Sequence, residues 1–187
     1  MQKKILALTV ILLCQLQCGG GVGSTAGEEV STMRFALGSD SFMDGQDIPV
    51  RHTCDGPDVS PALAWGEPPP GTKTFALICD DPDAPVGTWV HWVIFNLPAA
   101  TRVLPESVPK TKDLADGSRQ GMNDFRRIGY GGPCPPPGPA HRYFFRLYAL
   151  SKMLELPAGA TQADVLRAME GSILATAQCM GRYGRKL

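Results

Sequence analysis

The stretch that decides the fold is Asp80-Asp-Pro-Asp-Ala-Pro-Val-Gly-Thr-Trp-Val-His-Trp-Val-Ile-Phe-Asn-Leu97. Its first part, Asp81-Pro82-Asp83-Ala84-Pro85, holds two prolines. Each lacks the N–H that a ladder or a helix interior needs, so the segment reads as a rigid turn presenting carboxylates. From Trp89 onward the chain is aromatic and β-branched, the composition of a strand. A period of two places Trp89, His91, Val93, Phe95 and Leu97 on one expected face. An acidic loop thus feeds a strand whose first residues set an indole beside an imidazole, as a polar pocket at the lip of an apolar core requires.

Working outward, residues 74–79 form a near-continuous apolar run, as in a buried strand, and residues 142–150 alternate Tyr143, Phe145, Leu147 and Ala149 with Phe144, Arg146, Tyr148 and Leu150. Shorter strands are expected at residues 33–37, 48–53 and 62–65. Helical spacing of Val165, Met169, Ile173, Ala177 and Met180 predicts a C-terminal helix over 165–180, with Thr161 and Asp164 placed as a capping box. Residues 118–138 read as one long loop, a length that usually carries function. With 17 prolines and 21 glycines in 187 residues, the chain is turn-rich and mostly β: antiparallel sheets with a C-terminal helix.

The N-terminus reads as a targeting segment. Lys3 and Lys4 precede an apolar run over 5–13, too short to span a bilayer and suited to a secretory signal. Cys18, followed by Gly19-Gly20-Gly21, resembles a lipoprotein processing site, although Gln17 stands where a small residue is usual. The organisation expected is a signal over 1–18, ending either in lipidation at Cys18 or in plain cleavage, a flexible tether over 19–32 and one domain over 33–187. The full chain carries 18 basic and 18 acidic residues; loss of 1–18 removes Lys3 and Lys4 alone, leaving 16 against 18, a net charge of −2. Without a basic stripe, nucleic acid is not an expected partner.

Two distant segments look like halves of one site: Asp81, Asp83, Trp89 and His91, then Gly132-Pro133-Cys134-Pro135-Pro136 with His141-Arg142-Tyr143. Two of the three histidines open the two strongest strands, each after a Pro/Gly loop. Alone, either would read as a satisfied strand-end residue; together they read as a site. The series Asp81-Pro-Asp-Ala-Pro, Trp89-x-His91, Gly131-x-Pro-Cys-Pro-Pro and His141-Arg-Tyr resembles the phosphatidylethanolamine-binding protein family. Cys54-Asp-Gly-x-Asp-x-Ser-Pro and Asn123-Asp-Phe resemble its bacterial Raf-kinase-inhibitor-like branch. The likeness runs over 33–182.

The resemblance implies an antiparallel β-sandwich and a small anion-binding pocket near the C-terminal helix. Position by position, the pocket would be Asp81, Trp89, His91, Pro135, His141 and Tyr143, with Asp83 in the same motif holding the loop. The linker from Pro137 to Ala140 is shorter than is usual in this branch, and Arg126 and Arg127 stand where a small residue is common. Imidazole and phenol donors suit a phosphate or carboxylate head group, while Trp89 offers an apolar wall or a face for an ammonium. No cofactor and no metal are expected, since no ligand pair has the spacing of a metal site.

The first reading is an exported, periplasmic or lipid-anchored binding module with a regulatory role and not an enzyme, since no nucleophile elbow or zinc helix is present. Its ligand would be a small anion or phosphorylated head group, and its membrane contact only the N-terminal anchor. Family members regulate kinases or proteases, and an exported chain would meet an extracytoplasmic protease, so protease inhibition is the second reading. A hydrolase using Cys134 with His91 or His141 and Asp81 is the third. Four cysteines remain after Cys18, compatible with three full connectivities. Cys54–Cys134 is the pair expected, because both lie in loops flanking the pocket; Cys79 reads as a buried strand thiol and Cys179 as a helix packing residue.

Overall fold

The computed structural model describes residues 35–185. The expected signal, tether, Cys18 and the first residues of the expected strand over 33–37 lie outside the described residues. Among those described are eight strands and one α-helix: β1 (Leu37–Ser39), β2 (Leu63–Trp65), β3 (Thr74–Asp81), β4 (Trp89–Pro98), β5 (Val103–Leu104), β6 (Arg119–Gln120), β7 (His141–Leu150), α1 (Gln162–Met169) and β8 (Ile173–Tyr183). They build a three-stranded sheet of order β1-β2-β5 and a five-stranded sheet of order β6-β4-β3-β7-β8. Every strand pair is antiparallel.

The central strands β3 and β4 of the larger sheet are buried on both faces, which explains why β3 is apolar almost throughout. Phe75, Leu77 and Cys79 of β3 join Trp92, Ile94, Tyr143, Phe145 and Leu147 in a core closed by Leu37, Leu63, Trp65 and Leu104 of the small sheet. Ala76 and Ile78 turn the other way, toward Val90, Val93, Phe95 and the helix residues Val165 and Met169. The alternation read for β7 holds, with Tyr143, Phe145, Leu147 and Ala149 all fully buried.

The single face expected for β4 does not form. The pairs Cys79↔Trp92 and Asp80↔Val90 leave His91 as an extra residue, and Phe75↔Leu97 with Leu77↔Ile94 leaves another beside Asn96. Each bulge shifts the strand by one residue and swaps its faces. Leu97 therefore joins Trp92 and Ile94, while Val93 and Phe95 face the helix side. Asn96 takes φ 58° at its bulge, and its side chain is tied to both the N–H and the C=O of Leu154.

The expected C-terminal helix over 165–180 is also corrected. Its start is as read: Thr161 caps α1, and Asp164 closes the capping box. The helix ends at Met169; Gly171 follows at φ 69°, and residues 173–183 pair with β7 over ten residue positions from His141↔Tyr183 to Leu150↔Ile173. Cys179 is accordingly a buried strand residue. The strand expected over 48–53 is instead a 3-10 turn at Val50–His52, because Pro49 has no N–H for a ladder.

Candidate functional site

The acidic turn and the two histidine-bearing strand starts meet at one end of the large sheet. Asp81 is the last residue of β3 and pairs directly with Trp89, the first of β4. The N–H of Asp83 donates to Asp81 Oδ1 at 2.8 Å, an Asx turn that sets the carboxylate's orientation. His141 Nδ1–H donates to Asp81 Oδ2 at 2.8 Å. Both carboxylate oxygens are thus committed inside the protein, and His141 keeps Nε2 as its uncommitted ring nitrogen.

His91 is placed by its bulge. Its Nδ1–H donates to the Gly131 carbonyl at 2.7 Å, and the Gly131 N–H returns a bond to the His91 carbonyl at 2.9 Å. Its ring stands edge-on to Tyr143 at 5.1 Å and to Phe125 at 5.3 Å. Burial pushes the imidazole below its usual titration range, against the Gly131 carbonyl and the Asp81 charge, which act in the opposite direction. The ring is therefore neutral near pH 7, with Nδ1 protonated and Nε2 an acceptor.

The loop Asn123-Asp124-Phe125 docks onto the start of β4. Val90 N–H donates to Asp124 Oδ2 at 2.7 Å, and the Asn123 side chain bonds the Gly129 carbonyl and the Arg127 N–H. Phe125 is thereby pressed against Trp89, with ring centres 5.4 Å apart. The following glycines allow close approach. A Cβ on Gly131 would lie 2.7 Å from the Phe125 ring, and one on Gly132 would lie 2.3 Å from the His52 carbonyl.

These parts enclose a cavity of about 210 Å3 lined by Asp81, Ala84, Pro85, Val86, Trp89, His91, Phe125, Cys134, Pro135, Pro136 and His141. Of the residues singled out from sequence, the structure brings Asp81, Trp89, His91, Pro135 and His141 together in this wall. Tyr143 stands behind His91, fully buried. Burial, and then the neighbouring Asp81 charge, drives its phenol far above the usual range, so it is a neutral hydroxyl. Asp83 is not part of the wall. It takes the Arg142 guanidinium through both oxygens at 2.7 and 2.9 Å, and that hydrogen-bonded cation holds its carboxyl at about 2.

Phe125 and Val86 line the wall although the sequence does not single them out for the site; for Phe125 the available signal is an aromatic in a long Gly-rich loop. Two buried donors at the site, Trp89 Nε1–H and Tyr143 O–H, have no hydrogen-bond partner among the described residues. The third histidine is unrelated: His52 is fully buried, and its Nδ1–H donates to the Val59 carbonyl at 2.9 Å.

Cys134 Sγ is bonded to Cys54 Sγ, with Cα atoms 5.4 Å apart. The cavity wall therefore presents no free thiol, and the remaining described cysteines, Cys79 and Cys179, are buried. Among the described residues no three histidine, cysteine or acidic side chains are grouped to hold a metal.

A family model for phosphatidylethanolamine-binding protein matches residues 38–184. The UPF0098 protein of Aquifex aeolicus is 53% identical over 149 residues, covering 79% of this chain and 86% of that protein. That of Methanothermobacter thermautotrophicus is 54% identical over 149 residues, covering 80% and 98%. Among solved structures, Escherichia coli YbcL, described as a member of the mammalian PEBP family, superposes with a TM-score of 0.75 at 34% identity, covering 81% of this chain and 99% of that one. A Chlamydia trachomatis homologue of phosphatidylethanolamine-binding protein superposes at 0.74 with 37% identity, covering 81% and 98%. With the antiparallel two-sheet fold and the motif residues in place, the chain belongs to the phosphatidylethanolamine-binding protein family.

Proposed function

We propose that the cavity receives the anionic head of a small ligand, foremost a phosphate monoester, and that the protein is an exported binding module with a regulatory role. The observation that carries this reading is that His91 and His141 both line the cavity with Nδ1 committed to a protein acceptor, while the other ring nitrogen of each takes no hydrogen bond among the described residues.

Asp81 would repel an anion if it faced one bare. Its oxygens already accept from His141 Nδ1–H and the Asp83 N–H, so the carboxylate acts on the rings rather than on the guest. Each imidazole spends Nδ1–H on a protein acceptor and keeps Nε2 for the ligand. A neutral Nε2 accepts, so an anion is bound either as its protonated form or with uptake of a proton by the ring. Phosphate monoesters have a second pKa near 6, within reach of imidazole, and can supply that proton. The exposed Cys54–Cys134 disulfide supports the exported setting, since such bonds persist in oxidising compartments.

The test is calorimetric titration with inorganic phosphate and phosphoethanolamine near pH 5.5 and pH 8. Binding should be tighter at the lower pH, and His141→Ala should weaken it by roughly tenfold or more, the loss of one hydrogen bond to a charged group. Equal affinity at both pH values, or an unaffected His91→Ala/His141→Ala double variant, would overturn the reading.

A further inference from the structure

The wall that closes the cavity on its C-terminal side is poor in hydrogen-bond donors. In Pro133-Cys134-Pro135-Pro136-Pro137 only Cys134 has a backbone N–H. This run is held from Gly132, whose N–H donates to Asp58 Oδ1 at 2.6 Å, and through the Pro133 carbonyl, which accepts from Cys54 N–H at 3.1 Å. At its far end the run is anchored by Gly138 N–H, which donates to the Arg185 carbonyl at 3.2 Å; between these anchors the tie is the covalent bond from Cys134 to Cys54.

Both sulfur-bearing residues are exposed. Cys134 also forms part of a second cavity of about 220 Å3, whose wall includes Cys54, Phe125 and Arg127. The bond thus stands between two hollows and is open to solvent. Its two sulfurs differ. Arg185 Nη2–H donates to Cys54 Sγ at 3.2 Å, whereas no hydrogen bond reaches Cys134 Sγ among the described residues. The Asp55 carboxylate also holds this guanidinium through both Nε and the same Nη2 and offsets part of its charge; Nη2 carries two hydrogens, and it is the second that serves the Cys54 sulfur. In thiol–disulfide exchange the better leaving group is the sulfur whose thiolate is stabilised by a neighbouring cation.

We infer that the Cys54–Cys134 bond is an exchangeable tie, opened by a dithiol reductant at Cys134, and that its opening frees the Pro135–Pro136 wall of the anion cavity. A reductant thiolate attacks Cys134 Sγ, the S–S bond breaks, and its electron pair leaves on Cys54 Sγ beside Arg185. The reductant's second thiol then attacks the mixed disulfide, releasing Cys134 and leaving the reductant oxidised by two electrons. The ligand-binding consequence rests on the anion reading above; the exchange itself does not.

The native, oxidised protein is incubated with glutathione, quenched with a maleimide and mapped by peptide mass. Glutathione should appear on Cys134 and maleimide on Cys54, with Cys79 and Cys179 unmodified. Glutathione on Cys54, or reaction only after denaturation, overturns the assignment. Hydrogen exchange of the Cys54 and Gly132 amides should accelerate by roughly tenfold or more on reduction with dithiothreitol; unchanged protection overturns the untying. Phosphate affinity should fall by roughly tenfold on reduction and return on reoxidation. Equal affinity in both states overturns the coupling, whereas an oxidised protein without phosphate affinity rejects the anion reading and leaves the exchange measurements to decide the tie.

Discussion

His141, at the first position of β7, donates from Nδ1 to Asp81, at the last position of β3, over 2.8 Å with both side chains largely shielded from water. The two strands are hydrogen-bonded neighbours, so the contact is set by sheet geometry rather than by a mobile loop. The bond fixes which ring nitrogen faces the cavity. Asp81→Asn keeps the shape but allows the amide to turn its NH2 toward His141 and reverse that choice. Phosphate affinity near pH 6 should drop by roughly tenfold, in keeping with one charge-assisted bond. Titration calorimetry reads it; wild-type affinity would show that the Asp81–His141 bond does not serve the ligand.

His91 makes stability depend on pH. Its folded-state value is lowered by burial, so between that value and the unfolded reference near 6.5 the unfolded chain binds more protons. Stability is therefore full above about 6.5 and falls as the solution is acidified. Asp81 lies close enough to favour a charged ring, but burial outweighs it. Urea midpoints should decrease from pH 7.5 to pH 5, and His91→Gln should flatten that part of the profile. A His91→Gln profile parallel to wild type would assign the dependence elsewhere.

Asp83 and Arg142 give a contrasting, more acidic window. The carboxyl is lowered to about 2 by its bonds to Arg142, so the contribution is present above about 3.9 and is lost as pH falls toward 2. Arg142 is half-exposed, and solvent screening reduces the effect to less than about 1 kcal/mol. Asp83→Asn should lower the melting temperature slightly at pH 6 and leave phosphate affinity unchanged. A large loss of affinity would place Asp83 among the ligand contacts after all.

Much of this arrangement was legible because the sequence signals and the tertiary structure agree. In β3, β4 and β7 the apolar runs are bounded by Pro/Gly turns, and the strands follow those bounds to within a residue or two. The face assignment in β4 failed at His91 and Asn96, because a bulge adds a residue without leaving a Gly or Pro to mark it. The C-terminal misreading has a specific cause. Ile173, Ala177 and Met180 happen to continue the spacing of Val165 and Met169, yet Gly171 interrupts the run, and pairing along β7 overrides whatever weak helical preference the segment has. Pro49 was likewise a visible signal against a strand over 48–53. Within the site, the motif residues met as their order implied. Phe125 did not stand out, because its role depends on Asn123 and Asp124 docking the loop onto β4.

The Cys54–Cys134 bond also has a stability consequence independent of any ligand. It joins positions 80 residues apart, and closing a loop of that length restricts the unfolded chain by about 4–5 kcal/mol in the entropic model, with measured effects usually nearer 2–4 kcal/mol. The Cys54→Ser/Cys134→Ser variant should thus unfold at a clearly lower urea concentration than the oxidised protein. Reduced wild type should fall close to the double variant. If reduction left the midpoint unmoved while peptide mapping showed both thiols free, the bond would not stabilise the domain through its unfolded chain in this way.

The two glycines behind the wall differ in what could yield to an added Cβ. Gly132 packs so closely that a Cβ would sit 2.3 Å from the His52 carbonyl and 2.8 Å from Asp58 Oδ1. Backbone on one side and a carboxylate that accepts the Gly132 N–H on the other leave neither neighbour free to yield. Gly132→Ala should therefore destabilise the domain by roughly 1–3 kcal/mol, the cost of overpacking. At Gly131 the nearest atoms belong instead to the half-buried Phe125 ring, a side chain that can tilt. Gly131→Ala should cost less stability but push Phe125 toward the cavity and weaken phosphate binding. Urea midpoints and phosphate titrations on the two variants separate the outcomes. Equal destabilisation with unchanged affinity in both would mean that Phe125 does not shape the cavity.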